Sequence, residues 1–249
     1  MKDSLHKVFK LLGLTIRRYR EGDNESRLAY FNYKRVYTKY ADRTMIPFEA
    51  YIDNLKLAEE NGKNINGAVV ECGVWKGGMI AGISELLGGA RKYYLFDSYE
   101  GLPDASDKDG ESAKNWQNNK TSEHYYDNCC STEEVALDTM SRSGVNDVHS
   151  KKGWFSDTLP SNQIDSIAIL RLDGDWFEST YTCLKYLYPK VVDNGIIIID
   201  DYYFWDGCTK AVHQYLTENN LSDRIKQTEH GVAYIVKNEF INRFQKNPD

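Results

Sequence analysis

The chain has 249 residues, of which 41% are hydrophobic, and this is enough for one large α/β domain with a sizeable core. Its net charge of −6 at pH 7 excludes the strongly basic face of a typical nucleic-acid-binding protein, so no nucleic-acid partner is expected. The five cysteines form no C-x-x-C pair and no metal-ligand spacing with His, which indicates reduced thiols in a cytoplasmic protein.

The N-terminal twenty residues predict an amphipathic helix, because their apolar side chains follow helical spacing. These side chains are Leu5, Val8, Phe9, Leu12 and Ile16. We expect this helix to pack on the domain or on a second subunit of a homo-oligomer. The alternative is a basic helix that lies on a membrane surface. No segment of the sequence is long and apolar enough to be expected to span a bilayer.

A second helical pattern begins near residue 24 and carries tyrosines on one face. These are Tyr30, Tyr33, Tyr37 and Tyr40. The face is expected to pack into the core, with a lid or a wall of the substrate site as the alternative. Ile46-Pro47 breaks the pattern, and a further helix is predicted from Phe48 to Glu60. We therefore assign residues 1–62 to an N-terminal helical extension or lid, and residues 63–249 to the main domain.

Strand and helix patterns alternate after residue 63, which predicts a mostly parallel sheet with helices on both faces. The predicted strands are Ala68–Cys72, Lys92–Asp97, Val148–Lys151, Ser166–Leu172, Gly195–Asp200, Ile225–Thr228 and Val232–Val236. Only Glu229-His230-Gly231 separates the last two, so they are expected to form a hairpin whose final strand is antiparallel. A Rossmann-like sheet of seven strands that ends in this way is typical of class I methyltransferases.

A long polar excursion from about Pro103 to Asn128 follows the second predicted strand. Excursions of this length without secondary structure are uncommon in compact domains, and they are either functional lids or disordered segments. We expect one of these two here.

The first predicted strand runs into a glycine-rich turn, ECGVWKGG, in which Gly73, Gly77 and Gly78 follow Glu71. Small residues let the backbone approach a ligand at the start of a helix, which is predicted near Met79. The spacing differs from the G-x-G-x-x-G of dinucleotide sites. A carboxylate beside the turn repels a pyrophosphate and attracts an ammonium or sulfonium, which favours S-adenosylmethionine over NAD. A simple tight turn is the alternative.

Asp97 ends the second predicted strand, at about the distance past the glycine turn where an acid binds ribose hydroxyls in βαβ nucleotide sites. A carboxylate can accept two hydroxyl protons at once. The alternative is that Asp97 caps the N-terminus of a helix.

Acidic residues end both of the next two predicted strands, in ILRLDGD and IIIIDD. These strand ends are expected at the same edge of the sheet, so Asp173, Asp200 and Asp201 should converge. Three such carboxylates need a cation, and oxygen-only ligands suit Mg²⁺. The alternative is solvated acids and helix caps. Asp175 is placed to act as a general base, and Glu178 is expected at a helix start or as a partner behind the site.

Together these segments resemble the macrocin O-methyltransferase (TylF-like) family of Mg²⁺- and S-adenosylmethionine-dependent sugar O-methyltransferases. The resemblance covers residues 44–236. Its motifs are Thr44-Met45, ECGVWKGG, FDSYEGLP, KGWFSDTLP, LRLDGDWFEST and IIDDYY. It implies that residues 63–249 form the methyltransferase domain and that the acceptor is a small molecule containing a sugar. Departures from the family pattern before Thr44 and in residues 104–128 leave the identity of that sugar open.

The resemblance also implies roles for individual residues. The glycine turn would hold the methionine part of the cofactor, Asp97 its ribose, and the KGWFSDTLP motif its adenine. Asp173, Asp200 and Asp201 would bind Mg²⁺, and Asp175 would be the catalytic base. The expected cofactor-binding residues are Thr44, Met45, Glu71, Cys72, Gly73, Gly77, Gly78, Asp97, Ser98, Glu100, Gly153, Trp154, Phe155 and Asp173.

The same residues bear on three rival functions. A catechol-like or other small diol acceptor would use the same three-carboxylate site, and aromatic residues do not distinguish it from a sugar. A non-catalytic scaffold is disfavoured, because the acids Asp173, Asp175, Asp200 and Asp201 are all present. An NAD-dependent oxidoreductase conflicts with the glycine spacing and with Glu71.

Overall fold

The computed structural model describes the backbone of residues 21–239 and the side chains of residues 28–239. The amphipathic helix predicted from Leu5 to Ile16 lies outside this range. The α-helices are α1 (Glu21–Tyr40), α2 (Phe48–Gly62), α3 (Gly78–Leu87), α4 (Gly110–Asn118), α5 (Glu133–Ser141), α6 (Phe155–Thr158), α7 (Phe177–Leu187) and α8 (Asp206–Glu218). Short 3-10 turns occupy Ala41–Arg43, Tyr126–Cys129 and Tyr188–Lys190. No helix in the described part of the chain has the length and apolar character needed to cross a membrane.

The strands form one seven-stranded sheet in the order β3-β2-β1-β4-β5-β7-β6. They are β1 (Ala68–Cys72), β2 (Tyr93–Asp97), β3 (Val148–Lys152), β4 (Ile167–Leu172), β5 (Val191–Ile199), β6 (Ile225–Gln227) and β7 (Ala233–Val236). The first five pair in parallel, and β7 pairs antiparallel with both β5 and β6. The predicted Rossmann-like sheet with its antiparallel C-terminal hairpin is confirmed.

The three central strands are buried along most of their length, which explains their apolar sequences. All residues of β1 and β4 are buried, and so are the last five of β5. The register aligns Cys72 of β1 with Leu172 of β4, and Leu172 with Ile199 of β5. The residues that follow these three, namely Gly73, Asp173 and Asp200, are therefore brought together at one edge of the sheet.

The tyrosine face of α1 packs into the protein at its C-terminal end. Tyr40 is fully buried and donates a hydrogen bond to Glu85 Oε2 at 2.8 Å. The ring of Tyr37 contacts those of Phe48 and Tyr51 edge-on, at 5.0 and 5.3 Å between centroids. Core packing is confirmed for these two tyrosines. Tyr30, nearer the start of the helix, is 45% exposed.

The polar excursion after β2 is folded. It contains α4 and the turn Tyr126–Cys129, so its interpretation as a disordered segment is wrong. The side chain of Asn128 fixes it, because its Nδ2 donates to the carbonyl of Leu102 and its Oδ1 accepts from Gln117. Local side-chain bonds of this kind help to hold a segment that has few apolar residues.

All five cysteines carry free thiols, as predicted. Within the described part of the chain, residues 36–239 belong to one compact unit that includes α2. The assignment of residues 1–62 as a separate extension stays a prediction, as do the homo-oligomeric state and the cytoplasmic location.

Candidate active site

A cavity of about 740 Å³ opens at the edge of the sheet where β1, β2, β4 and β5 end. This is the edge where parallel α/β sheets bind ligands. Of the predicted cofactor-binding residues, ten line the cavity and four do not. The lining ones are Thr44, Met45, Glu71, Gly73, Gly78, Asp97, Ser98, Trp154, Phe155 and Asp173, while Cys72, Gly77, Glu100 and Gly153 are not exposed to it. Asp175, Asp200 and Asp201 also line it.

The glycine turn after β1 is required by close backbone contacts. Gly73 has φ +84°, and a Cβ atom at this position would lie 1.6 Å from the carbonyl oxygen of Asp173. A Cβ on Gly78, the first residue of α3, would lie 2.4 Å from the carbonyl oxygen of Arg43. The helix thus begins one residue earlier than predicted. The second contact also explains how the segment containing Thr44 and Met45 reaches the cavity.

Asp97 braces the glycine turn with its carboxyl group. Its Oδ2 accepts the backbone N–H groups of Val74 and Trp75 at 2.6 and 2.8 Å, and its Oδ1 accepts that of Tyr99 at 2.7 Å. Burial raises the pKa of Asp97, although these three bonds oppose the rise. No α-helix of the described chain begins at Asp97, so the helix-cap alternative is wrong. Its predicted contact with ribose stays a prediction.

The predicted adenine segment lies beside this turn. Gly153 donates its N–H to the carbonyl of Asp97 at 2.9 Å, which fixes the end of β3 to the end of β2. Trp154 is 37% exposed, whereas Phe155 is partly buried against the core. A Cβ on Gly174 would lie 3.3 Å from the Phe155 ring, so this segment also contacts the loop after β4.

A buried arginine that the sequence analysis overlooked neutralises part of the site. The Arg171 side chain is 1% exposed, and its guanidinium lies 2.8 Å from Glu71 Oε1, 2.7 Å from Asp173 Oδ2 and 2.6 Å from Asp200 Oδ1. It also donates to Asn54 Oδ1 on α2 at 3.3 Å. An arginine inside the apolar run IAILRL was the signal, because a charge in a buried strand needs a partner.

Three carboxyl groups form an acidic cluster next to this arginine. One oxygen from each of Asp173, Asp175 and Asp201 lies within 4.8 Å of the others. The backbone N–H of Asp175 donates to Asp201 Oδ2 at 2.9 Å. The predicted convergence is confirmed for Asp173 and Asp201. Asp200 stands outside this group of three, because the guanidinium of Arg171 holds its carboxylate.

The acids of the site hold their protons unusually tightly, because they are buried and close together. Burial raises the pKa of Asp173 to about 6 and that of Asp175 to about 8, and neighbouring carboxylates add to both rises. Burial followed by the charges of Asp175 and Asp173 raises the pKa of Asp201 as well. Burial also raises the pKa of Glu71 to about 8, against the opposing charge of Arg171. Ionising these acids together would therefore require a cation in the site.

The polar excursion supplies cavity-lining residues that the sequence analysis did not identify. They are Trp116, His124, Tyr126 and Cys129. Each residue from Tyr126 to Cys129 has positive φ, between 48° and 60°. Such a left-handed turn without glycine has no clear signature in a sequence, since ordinary side chains avoid this conformation.

Glu178 occupies the first turn of α7, as one of its two predicted roles required. Its carboxylate pairs with Lys108 at 2.7 Å, and both side chains are exposed. Glu178 also lines the cavity, and its Oε1 accepts a hydrogen bond from Lys108 Nζ.

Comparison with known protein families identifies the family to which the chain belongs. The model of the family described as macrocin-O-methyltransferase (TylF) matches residues 23–237. The chain belongs to this family. It is accordingly an S-adenosylmethionine-dependent O-methyltransferase, and the resemblance found in its motifs is confirmed.

Three O-methyltransferases share about a third of their residues with this chain over the aligned regions. The demethyldecarbamoylnovobiocin O-methyltransferase of Streptomyces niveus is 34% identical over 183 residues, which cover 70% of this chain and 68% of the relative. The 8-demethyl-8-(2,3-dimethoxy-alpha-L-rhamnosyl)-tetracenomycin-C 4'-O-methyltransferase of Streptomyces olivaceus is 34% identical, covering 72% and 69%. The mycinamicin III 3''-O-methyltransferase of Micromonospora griseorubida is 31% identical and covers 74% of each.

A solved O-methyltransferase structure has the same architecture. The O-methyltransferase NovP superposes with a TM-score of 0.66 at 31% identity, covering 78% of this chain and 82% of NovP. The calicheamicin methyltransferase CalS11 shares the fold, with a TM-score of 0.55 and 19% identity. The match covers 88% of this chain and 94% of the CalS11 chain.

Proposed function

We propose that this O-methyltransferase transfers a methyl group from S-adenosylmethionine to a sugar hydroxyl, with Mg²⁺ at the acidic cluster and Asp175 as the general base. The observation that supports this most directly is that the glycine turn and the acids after β4 and β5 line one cavity. Its volume, about 740 Å³, lies in the range of cavities that hold small molecules.

The sugar acceptor is inferred from the relatives. The Streptomyces olivaceus enzyme is named for methylation of a rhamnosyl group at its 4' position. The exposed rings of Phe204 and Tyr126 add apolar surface to the cavity of this chain. Aromatic surface of this kind suits the apolar faces of a sugar ring and its aglycone.

The acidic cluster fits a hard divalent cation. All donors of Asp173, Asp175 and Asp201 are carboxylate oxygens, and no His or Cys joins the described cluster. Burial, together with the neighbouring carboxylates, raises the pKa of each of these acids, and a bound cation would favour their ionised forms. We assign Asp173, Asp200 and Asp201 as the ligands of Mg²⁺. When bound, Mg²⁺ lowers the pKa of the acceptor hydroxyl and orients it.

Asp175 then receives the proton of the acceptor hydroxyl. Methyl transfer forms the bond between the acceptor oxygen and the methyl carbon and breaks the carbon–sulfur bond, whose electrons stay on sulfur. The proton passes to the carboxylate of Asp175, so charge balances within the site. The walls of the cavity hold the two reactants in line, and such orientation accounts for much of the rate of a displacement.

The cofactor side of the cavity is assigned to the glycine turn and its neighbours. Glu71 and the turn from Gly73 to Gly78 hold the methionine part, and Asp97 holds the ribose, with Ser98 and Glu100 close by. Glu71 Oε2 supports this, since it is buried without a hydrogen-bond partner among the described residues and lies where an ammonium could bind. Gly153, Trp154 and Phe155 border the adenine, and Thr44 and Met45 contact the cofactor.

Thermal unfolding tests cofactor and metal together. S-adenosylmethionine at about a hundred times its Kd should add roughly 2.7 kcal/mol of stability, and Mg²⁺ should raise the melting temperature further, reversibly with EDTA. Methyl transfer is then measured to methyl α-L-rhamnopyranoside, dTDP-L-rhamnose and methyl β-D-glucopyranoside, with catechol for comparison. Methylation of catechol alone would contradict the sugar assignment, and a lack of response to S-adenosylmethionine would contradict the cofactor site.

The base is tested with Asp175→Asn. This variant should bind S-adenosylmethionine like the parent and lose most turnover, by roughly a hundredfold or more. Parental turnover by Asp175→Asn would show that another group takes the proton.

A further inference from the structure

The indole of Trp205 is hydrogen-bonded to the carboxyl group of Asp175. Its Nε1–H donates to Asp175 Oδ1 at 2.9 Å. The two residues follow different strands, since Asp175 comes after β4 and Trp205 is the N-cap of α8 after β5. The backbone N–H of Trp205 also donates to the carbonyl of Asp201 at 3.0 Å. Trp205 is thus fixed to the same turn that carries part of the acidic cluster.

Two other tryptophans hold the ring of Trp205 in place. Trp176 and Trp116 contact it edge-on, at 5.1 and 6.1 Å between ring centroids. The Nε1–H of Trp176 donates to the carbonyl of Pro103, and that of Trp116 donates to the carbonyl of His124, both at 2.9 Å. Each indole therefore has its own hydrogen bond, and the Trp205 ring cannot turn without losing two aromatic contacts and the bond to Asp175.

Asp175 is constrained on its backbone as well. Its φ of 56° is left-handed, and its N–H is bonded to Asp201 Oδ2. The carboxyl torsion of an aspartate is broad and roughly two-fold, so the bond to Oδ1 selects one orientation of the group. The other oxygen, Oδ2, accepts no hydrogen bond within residues 28–239.

We infer that Trp205 is a positioning residue for methyl transfer, an inference that rests on the proposed role of Asp175 as the base. The indole N–H holds Oδ1, which leaves Oδ2 to accept the proton while the oxygen–methyl bond forms and the carbon–sulfur bond breaks. Trp205 acts through Asp175 and not on the cofactor. Loss of its N–H should therefore lower kcat and leave the KM for S-adenosylmethionine unchanged.

The kinetics of Trp205→Phe test the inference. The acceptor is whichever of the three sugars named above the parent enzyme methylates, starting with methyl α-L-rhamnopyranoside. This variant keeps an aromatic ring and loses the N–H, and its kcat should fall by roughly tenfold or more. In an Asp175→Ala background, which removes the acceptor of the indole N–H, the same change should alter the residual rate by less than about twofold. Trp176→Phe, which removes a neighbouring indole N–H that does not bond Asp175, should cost less than Trp205→Phe.

The outcomes distinguish the positioning role of Trp205 from the proposed role of Asp175 as the base. Parental turnover in Asp175→Asn would refute the base, whereas a large loss in Asp175→Asn with parental turnover in Trp205→Phe would refute only the positioning role. Equal losses from Trp205→Phe in both backgrounds would show a structural role that does not pass through Asp175.

The hydrogen bond itself is observable without any acceptor. Protein labelled with ¹⁵N in the indole ring gives one Nε1–H signal for each of its five tryptophans, and Trp205→Phe identifies one of them. Asp175→Ala should move the Trp205 signal furthest of the five, because the acceptor of its N–H is removed. A Trp205 signal that stays in place would overturn the inference, whatever the kinetics.

Discussion

Arg171 Nη1 lies 2.8 Å from Glu71 Oε1, and the two side chains are only 1% and 2% exposed. The residues are register partners on the adjacent strands β4 and β1, so the sheet itself sets this contact. The same guanidinium reaches Asp173 and Asp200 beyond the strand ends. The arginine thus links the glycine turn of the cofactor side to the acids of the acceptor side.

Arg171→Met is expected to destabilise the protein by about 3–5 kcal/mol, because it leaves buried carboxylates without their cation. Arg171→Lys should recover part of the loss, since an ammonium keeps the charge but not the fork that contacts several acids. The free energy of unfolding in urea measures both. Lys114→Met, which breaks the exposed pair with Asp107, serves as the control and should leave stability unchanged. Arg171→Met as stable as that control would contradict the assigned role of the arginine.

Glu71 makes stability depend on pH. Its pKa is about 8 in the folded protein against an ordinary 4.5, so the folded chain keeps a proton that the unfolded chain releases. The contribution is fully present below about pH 4.5 and is lost as pH rises toward about 8, with a slope of at most about 1.4 kcal/mol per pH unit. In EDTA-containing buffer, Glu71→Gln should reduce this decline, while the exposed Glu123→Gln should not. An unchanged slope in Glu71→Gln would show that Glu71 is ionised throughout.

The fold was predictable because its signals are local and repeated. Apolar runs bounded by turns gave the positions of the strands, and the short connection at Glu229–Gly231 gave the hairpin. The convergence of Asp173 and Asp201 was predictable because each follows a parallel strand and such strand ends lie at the same edge of the sheet. The environment of each acid was not predictable, since it depends on contacts distant in sequence, such as Arg171 with Asn54 or Trp205 with Asp175. The folded excursion around Asn128 depends on side-chain bonds that no periodicity reveals.

Gly73→Ala tests the close contact between the glycine turn and the end of β4. The added Cβ would meet the Asp173 carbonyl oxygen at 1.6 Å, so the two strand ends must separate. We expect a loss of stability of about 3 kcal/mol or more, together with weaker S-adenosylmethionine binding in calorimetry. Gly144→Ala is a matched control, since Gly144 has φ +81° and no atom within 4 Å of the added Cβ. It should cost only the backbone penalty of about 1–2 kcal/mol. Equal losses in the two variants would show that the contact at Gly73 is harmless.

Calorimetric titration with Mg²⁺ identifies the third metal ligand. The structure groups Asp175 with Asp173 and Asp201, whereas Asp200 contacts Arg171. Our assignment nevertheless makes Asp200 the ligand and Asp175 the base, because Asp200 has a second carboxylate oxygen besides the one that Arg171 holds. Asp201→Asn and Asp200→Asn should each weaken Mg²⁺ binding by at least about tenfold, whereas Asp175→Asn should keep the affinity within about threefold. Glu178→Gln, which removes a nearby exposed carboxylate, controls for the loss of charge alone. If Asp175→Asn abolished Mg²⁺ binding while Asp200→Asn retained it, Asp175 would be the ligand and the proton would need a different acceptor.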